Sequence, residues 1–141
     1  MKATVRWQGD AKFRGTAADS GHEILMDGPA DMGGVNAGPR PMETLLLGMG
    51  GCSSVDVVYI LKKSRQDVTG CIAEIDAERA PEPPQVFTKI HMHFIVSGRS
   101  LKDNQVRRAV ELSAEKYCSA SIMLARGGVA ITHSHEVREA E

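Results

Sequence analysis

Three thiols and five imidazoles are the groups in this 141-residue sequence best suited to chemistry near neutral pH. Cys52, Cys71 and Cys118 are too few and too widely spaced for the disulfide framework of a small secreted domain. Cys71 lies in an alternating run, with Cys71, Ala73, Ile75 and Ala77 set against Ile72, Glu74, Asp76 and Glu78. It reads as a small buried hydrophobe in a strand. Cys52, on the face of an apolar helix, reads the same way when taken alone. Cys118 differs, because it precedes a short apolar helix with Ser119 and Ser121 beside it, where unpaired backbone N–H groups favour a thiolate.

His91 and His93 share one face of a strand, and His133 and His135 share a face of another. Two such pairs side by side have the makings of a metal site. However, Lys89 extends the first row, Glu136 follows the second, and no acid or cysteine completes a ligand set. They read as solvent faces, so no metal and no cofactor is expected. Gly48-Met49-Gly50-Gly51 is glycine-rich but lies within a helical pattern and lacks the Gly-Lys-Ser/Thr ending of a phosphate loop.

The elements that must position these groups follow from periodicity and turn residues. Residues 2–8 and 11–18 around Gly9-Asp10 predict a hairpin, with a third strand at Glu23–Asp27. A long Gly- and Pro-rich loop, 28–41, leads into a helix that carries Glu43 in its first turn and ends at Lys62, Lys63 and Arg65. Its first half is apolar nearly all round, which calls for burial, and its three glycines call for close approach of another backbone. Strands over 71–78 and 86–96 predict a long hairpin, with Val86, Ile90, Met92, Phe94 and Val96 on one face and Phe87, His91 and His93 on the other. An amphipathic helix over 101–116, a short one at Ala120–Arg126 and a last strand at Val129–Val137 complete a single domain, 1–141.

Composition narrows the partners. The balance of 17 Lys and Arg against 18 Asp and Glu leaves no basic footprint for nucleic acid or an anionic membrane. No signal-peptide pattern is present, and Asp56 with several glycines interrupts the best candidate for a membrane span. A reduced cytoplasmic protein is the expectation.

Taken together, two segments resemble something definite. Pro41-Met42-Glu43-Thr44-Leu45 through Gly51-Cys52-Ser53 resembles the Pro-x-Glu-x-Leu…Cys helix of the OsmC/Ohr family, the osmotically inducible and organic-hydroperoxide-resistance proteins. Ala114-Glu115-Lys116-Tyr117-Cys118-Ser119-Ala120-Ser121 is similar to that family's second-cysteine motif. Val57–Gln66, Phe94–Arg99 and Ile131–Val137 resemble the YhfA-like branch most closely. The order and spacing of these motifs cover nearly the whole chain.

The resemblance implies an α+β fold in which two subunits intertwine as a homodimer, with antiparallel sheets around two long buried helices. It also implies a thiol peroxidase of organic hydroperoxides, reduced again by a dithiol of the dihydrolipoyl type. By position Cys52 would be the peroxidatic residue and Cys118 the resolving one. The family's carboxylate directly follows the proline; here Met42 stands there and Glu43 comes one residue later. For the family's activating arginine the sequence offers Lys12 or Arg14 near the first hairpin and Arg40 in the loop. The rival expectation is a non-enzymatic dimer that binds a small hydrophobic molecule in the same cleft.

Overall fold

Gly9 and Asp10 turn the chain because both adopt positive φ, 94° and 48°, which suits a tight hairpin between right-twisted strands. The computed structural model describes all residues 1–141 and contains two compact units, Met1–Leu47 and Gly48–Glu141. In the first unit, β1 (Ala3–Trp7), β2 (Lys12–Ala17) and β3 (Glu23–Asp27) form an antiparallel sheet in that order. The expected hairpin and third strand are therefore present.

The loop after β3 hangs from one carboxylate. Asp27 is buried, and its Oδ2 accepts the backbone N–H groups of Val35 (2.9 Å) and Ala37 (3.0 Å). This organises a segment whose glycines and prolines could not order themselves. The loop ends at α1 (Pro41–Lys63), where Pro41 occupies the first helical position and Glu43 Oε2 accepts the N–H of Arg40 at 2.8 Å.

The second unit holds the rest of α1, β4 (Asp67–Arg79), β5 (Phe87–Arg99), α2 (Asp103–Leu112), α3 (Ser119–Arg126) and β6 (Ala130–Glu139). The strand order is β4-β5-β6, with Ile90, Met92, Phe94 and Val96 of β5 fully buried. Antiparallel sheets throughout were expected, but β5 and β6 pair in parallel and this sheet is mixed. The crossover through α2 and α3 returns the chain to the starting end of β5, which forces the parallel sense. At the turn end of the β4–β5 hairpin the register slips between Glu78 and Arg79. Phe87 is thereby turned inward, while Val86 falls outside the strand and is exposed, the reverse of the expectation.

The expected helix over 101–116 stops at Leu112. Residues Ser113–Tyr117 form a wider π-turn, closed by Cys118 N–H to Ser113 O at 2.8 Å. Within the chain α1 buries one stripe, Met49, Gly50, Ser53, Val57 and Leu61, while Leu45, Leu47, Val55 and Tyr59 are exposed. Beyond its own helix Gly50 meets the side chain of Ile75, and Gly48 and Gly51 have open space beside them, so no backbone of this chain makes the expected close approach. By length and mean hydropathy (1.6) α1 also meets the measure of a membrane span, against the expectation drawn from its interruptions.

The Ala37 and Val35 N–H groups hold the Asp27 carboxyl below its ordinary value of 3.8. A depressed folded-state pKa contributes stability that is complete above the unfolded value and is lost as pH falls through the folded one. Asp27→Asn should therefore lower Tm at neutral pH, and the gap from the wild type should close as pH falls below about 4. A gap that stays constant down to about pH 2 would contradict this role for the carboxylate.

Candidate functional site

Cys52 and Cys118 lie 66 positions apart in sequence, yet their sulfurs and a carboxylate oxygen of Asp56 all fall within 4.8 Å of one another. α1 supplies two of the three groups, since Cys52 and Asp56 are four residues apart and share a face. The third comes from the start of α3, where Cys118 is the N-cap and its Sγ accepts the N–H of Ser121 at 3.4 Å.

Serine hydroxyls surround the pair. Ser53 donates to Cys118 Sγ at 3.0 Å and lies 3.3 Å from Ser121 Oγ. Ser113, at the head of the π-turn, approaches the Ser53 carbonyl and Asp56 Oδ2, each at 3.4 Å. Ser53, Ser113, Ser121 and Cys118 are all buried, whereas Cys52 and Asp56 are half-buried. A solute therefore meets Cys52 before Cys118.

These contacts divide the two thiols electrostatically. Burial would push the Cys118 thiol up, but hydrogen bonds from the Ser121 and Ser53 hydroxyls, the Ser121 N–H and the Cys52 thiol hold it below its ordinary value. The N–H of Ala120 favours a thiolate at Cys52, yet burial and the hydrogen bond to and charge of Cys118 together set its pKa above the ordinary value. The pair thus keeps its first negative charge on Cys118, with Cys52 as the proton-bearing neighbour. Cys71 is raised by burial, opposed by a hydrogen bond from Ser54; it lies in β4 as expected, though half-buried rather than fully buried.

Residues 33–134 match the family described as "OsmC-like protein". The chain belongs to the OsmC-like family. It is 53% identical over 137 residues to Protein YhfA of Escherichia coli K12, an alignment covering 97% of this chain and 98% of that protein. A solved structure from structural genomics is 51% identical, covers 99% of this chain and 100% of its own, and superposes with a TM-score of 0.89. The organic hydroperoxide resistance protein OhrB of Bacillus subtilis shares the fold, with a TM-score of 0.62 at 20% identity and coverage of 96% of each chain.

In this OsmC-like chain the other residues suggested by the sequence have their own partners. Glu43 caps α1 through the Arg40 N–H. The Arg40 guanidinium donates to Gly38 O (3.1 Å) and Asn36 Oδ1 (3.2 Å), and Arg14 pairs with Glu23 at 3.3 Å on the first sheet. The histidine pairs do not lie side by side. Parallel pairing sets His91 beside Thr132 and His93 beside Ser134 on one face, while His133 and His135 follow Met92 and Phe94 on the other. Nor are all four exposed: His133 stacks on Phe94, its Nε2 is buried without a partner, and burial, with the charge of His91 adding, lowers its pKa. Sequence reasoning set Ser121 beside Cys118 without a role for its hydroxyl, and overlooked Asp56, Ser53 and Ser113. For Asp56 the signal was available in the four-residue spacing from Cys52; for the serines it was not, because hydroxyls at those spacings are ordinary.

Beside Asp56 a cleft of about 470 Å³ opens between α1 and the π-turn, lined by Tyr59, Ile60, Lys63, Leu112 and Tyr117. It reaches the cluster at Asp56. Ser53→Ala should move the first thiol titration to higher pH, read from thiolate absorbance in a Cys71→Ser background. An unchanged titration would show that Ser53 does not stabilise the anion.

Proposed function

We propose that this protein is a cysteine-based peroxidase that reduces organic hydroperoxides through a Cys52–Cys118 disulfide and acts in the oxidative stress response. The observation that carries the reading is the meeting of an accessible thiol with a buried, more acidic one inside 4.8 Å. The fold neighbour OhrB, an organic hydroperoxide resistance protein, supports the substrate class.

The steps follow from the division of the pair. Cys52 sulfur attacks the terminal peroxide oxygen, and its proton passes to the Cys118 thiolate that already shares it. The O–O bond breaks, the alkoxide takes up a proton and leaves as the alcohol, and Cys52 becomes a sulfenic acid. The thiol of Cys118 loses its proton again under the pull of the Ser53 and Ser121 donors. It then attacks the sulfenic sulfur, expelling water and closing the disulfide. An external dithiol, of lipoyl type, reopens it by exchange. The apolar cleft beside Asp56 receives the organic group.

The working unit of this reading is a homodimer, each chain a single OsmC-like domain of residues 1–141, in a reducing cytoplasm. The exposed Leu45, Leu47, Val55 and Tyr59 of α1 and the open space at Gly48 and Gly51 support a second chain, whose α1 would complete the pair of long buried helices. A second reading, a dimer that binds a small hydrophobic molecule without chemistry, is favoured by the same cleft. Neither reading calls on nucleic acid or a membrane.

One equivalent of an alkyl hydroperoxide should convert the reduced protein to a Cys52–Cys118 disulfide, seen by mass spectrometry as the loss of two hydrogens. Cys118→Ser should trap a sulfenic acid at Cys52, and form it more slowly because the internal base is gone. Cys52→Ser should abolish reaction, and Cys71→Ser should preserve it. If neither cysteine reacts within minutes, the binding reading replaces the enzymatic one. Sedimentation at low micromolar concentration should give a dimer. In the dimer Gly48→Ala should be destabilising, whereas on a free helix it would stabilise by about 1 kcal/mol, so a folded, stabilised monomer would sink the assembly.

A further inference from the structure

The peroxidase reading leaves one charge unexplained. Asp56 brings a carboxylate within 4.8 Å of both sulfurs, so three anion-forming groups converge with no cation among them. It takes part in none of the chain's ion pairs, and a single 3.4 Å contact from Ser113 is its only hydrogen bond. A cation held between the three groups would resolve the conflict.

We propose that Cys52, Asp56 and Cys118 form a zinc site. Two thiolates and one carboxylate are a donor set for zinc rather than for magnesium or calcium. In a tetrahedral site with ordinary zinc–sulfur and zinc–oxygen bonds the ligand atoms stand about 3.6–3.8 Å apart. The observed limit of 4.8 Å is therefore within a small side-chain adjustment of the bound geometry. Two ligands come from one turn of α1, and the third faces them from the start of α3. The half-buried side at Cys52 and Asp56 leaves a fourth position for water, as in exchangeable zinc sites and unlike closed structural ones.

The surroundings are those of a metal–thiolate centre. Cys118 Sγ accepts from the Ser53 hydroxyl (3.0 Å) and the Ser121 N–H (3.4 Å), and backbone N–H groups of Ala120 and Ser119 point at Cys52. The Ser113 hydroxyl steadies Asp56 Oδ2. Such outer contacts orient ligands and spread the charge of the sulfurs. On binding, any S–H bond still present breaks, its proton goes to solvent and a zinc–sulfur bond forms. Affinity therefore falls as pH falls.

The site stands on this geometry alone; its consequence for catalysis rests on the peroxidase reading. Zinc and the disulfide need the same two sulfurs, so occupancy and oxidation exclude one another. A hydroperoxide would then convert the zinc dithiolate and two protons to disulfide, alcohol, water and free zinc ion. Metal occupancy would act as a reversible brake on the thiol pair.

The test uses the full-length, reduced protein. Zinc titration against a chromophoric chelator should show about one ion per chain, and cobalt in its place should give a thiolate-to-cobalt charge-transfer band. Asp56→Asn should weaken binding at least tenfold, Cys52→Ser should diminish the band, and His91→Ala should change neither. Wild-type protein oxidised with diamide should bind no metal, a comparison that needs no variant. Absence of the charge-transfer band, or binding untouched by both diamide and Asp56→Asn, would overturn the site. Binding without any disulfide on hydroperoxide treatment would support the metal site and overturn the peroxidase reading, and a disulfide without metal binding would do the opposite.

Discussion

The hydroxyl of Ser53 is the contact on which the reactive centre depends. It has one proton to give and three neighbours, Cys118 Sγ at 3.0 Å, Ser121 Oγ at 3.3 Å and Met92 Sδ at 3.9 Å. An anionic sulfur is by far the strongest acceptor of the three, so ionising Cys118 orients the hydroxyl toward it. The carbonyl of the same residue receives Ser113. Through one buried side chain and its backbone, α1 is tied to the π-turn, to α3 and to the centre of β5.

That tie explains where the two cysteines sit. Ser53 lies in the stripe of α1 that packs inward with Met49, Val57 and Leu61. Cys52 is one residue away, about 100° round the helix, and falls at the boundary between the buried stripe and the open face. Its neighbour at the next turn, Asp56, shares that boundary. Cys118, by contrast, is held beneath by a π-turn that an uninterrupted α-helix over the same residues could not have formed. The extra residue per turn re-aims the chain so that Cys118 caps α3 with its sulfur toward α1.

Most of the framework is legible in the sequence because its signals are local. Gly9-Asp10, the alternation of Cys71–Glu78 and the Pro41–Glu43 start of the apolar α1 each act within a few residues, and all three elements appear. The features that escape are those decided by tertiary partners. The parallel pairing of β6 depends on where the crossover delivers it, and the same pairing places His91 and His133 on opposite faces. The π-turn depends on Cys118 N–H reaching Ser113 O. Phe87 exchanges places with Val86 through a single register slip. Cys52 and Cys118 carry motif signals, but the serines between them gain meaning only once the fold closes 65 to 68 residues of separation.

Dipoles, rather than a lysine or arginine, do the work of stabilising the anion at Cys118. Hydroxyl and N–H donors in a buried site are little screened by salt, and their effect is set by geometry rather than by the ionic medium. They act on the reduced state alone, since the disulfide carries no charge for them to solvate. Stabilising the reduced form of a dithiol makes its disulfide the more easily reduced partner. In the proposed cycle the donors that draw the proton from Cys118 would therefore also favour reopening of a Cys52–Cys118 bond by an outside dithiol. In that cycle, activation of the pair and its regeneration would be two consequences of one hydrogen-bond arrangement.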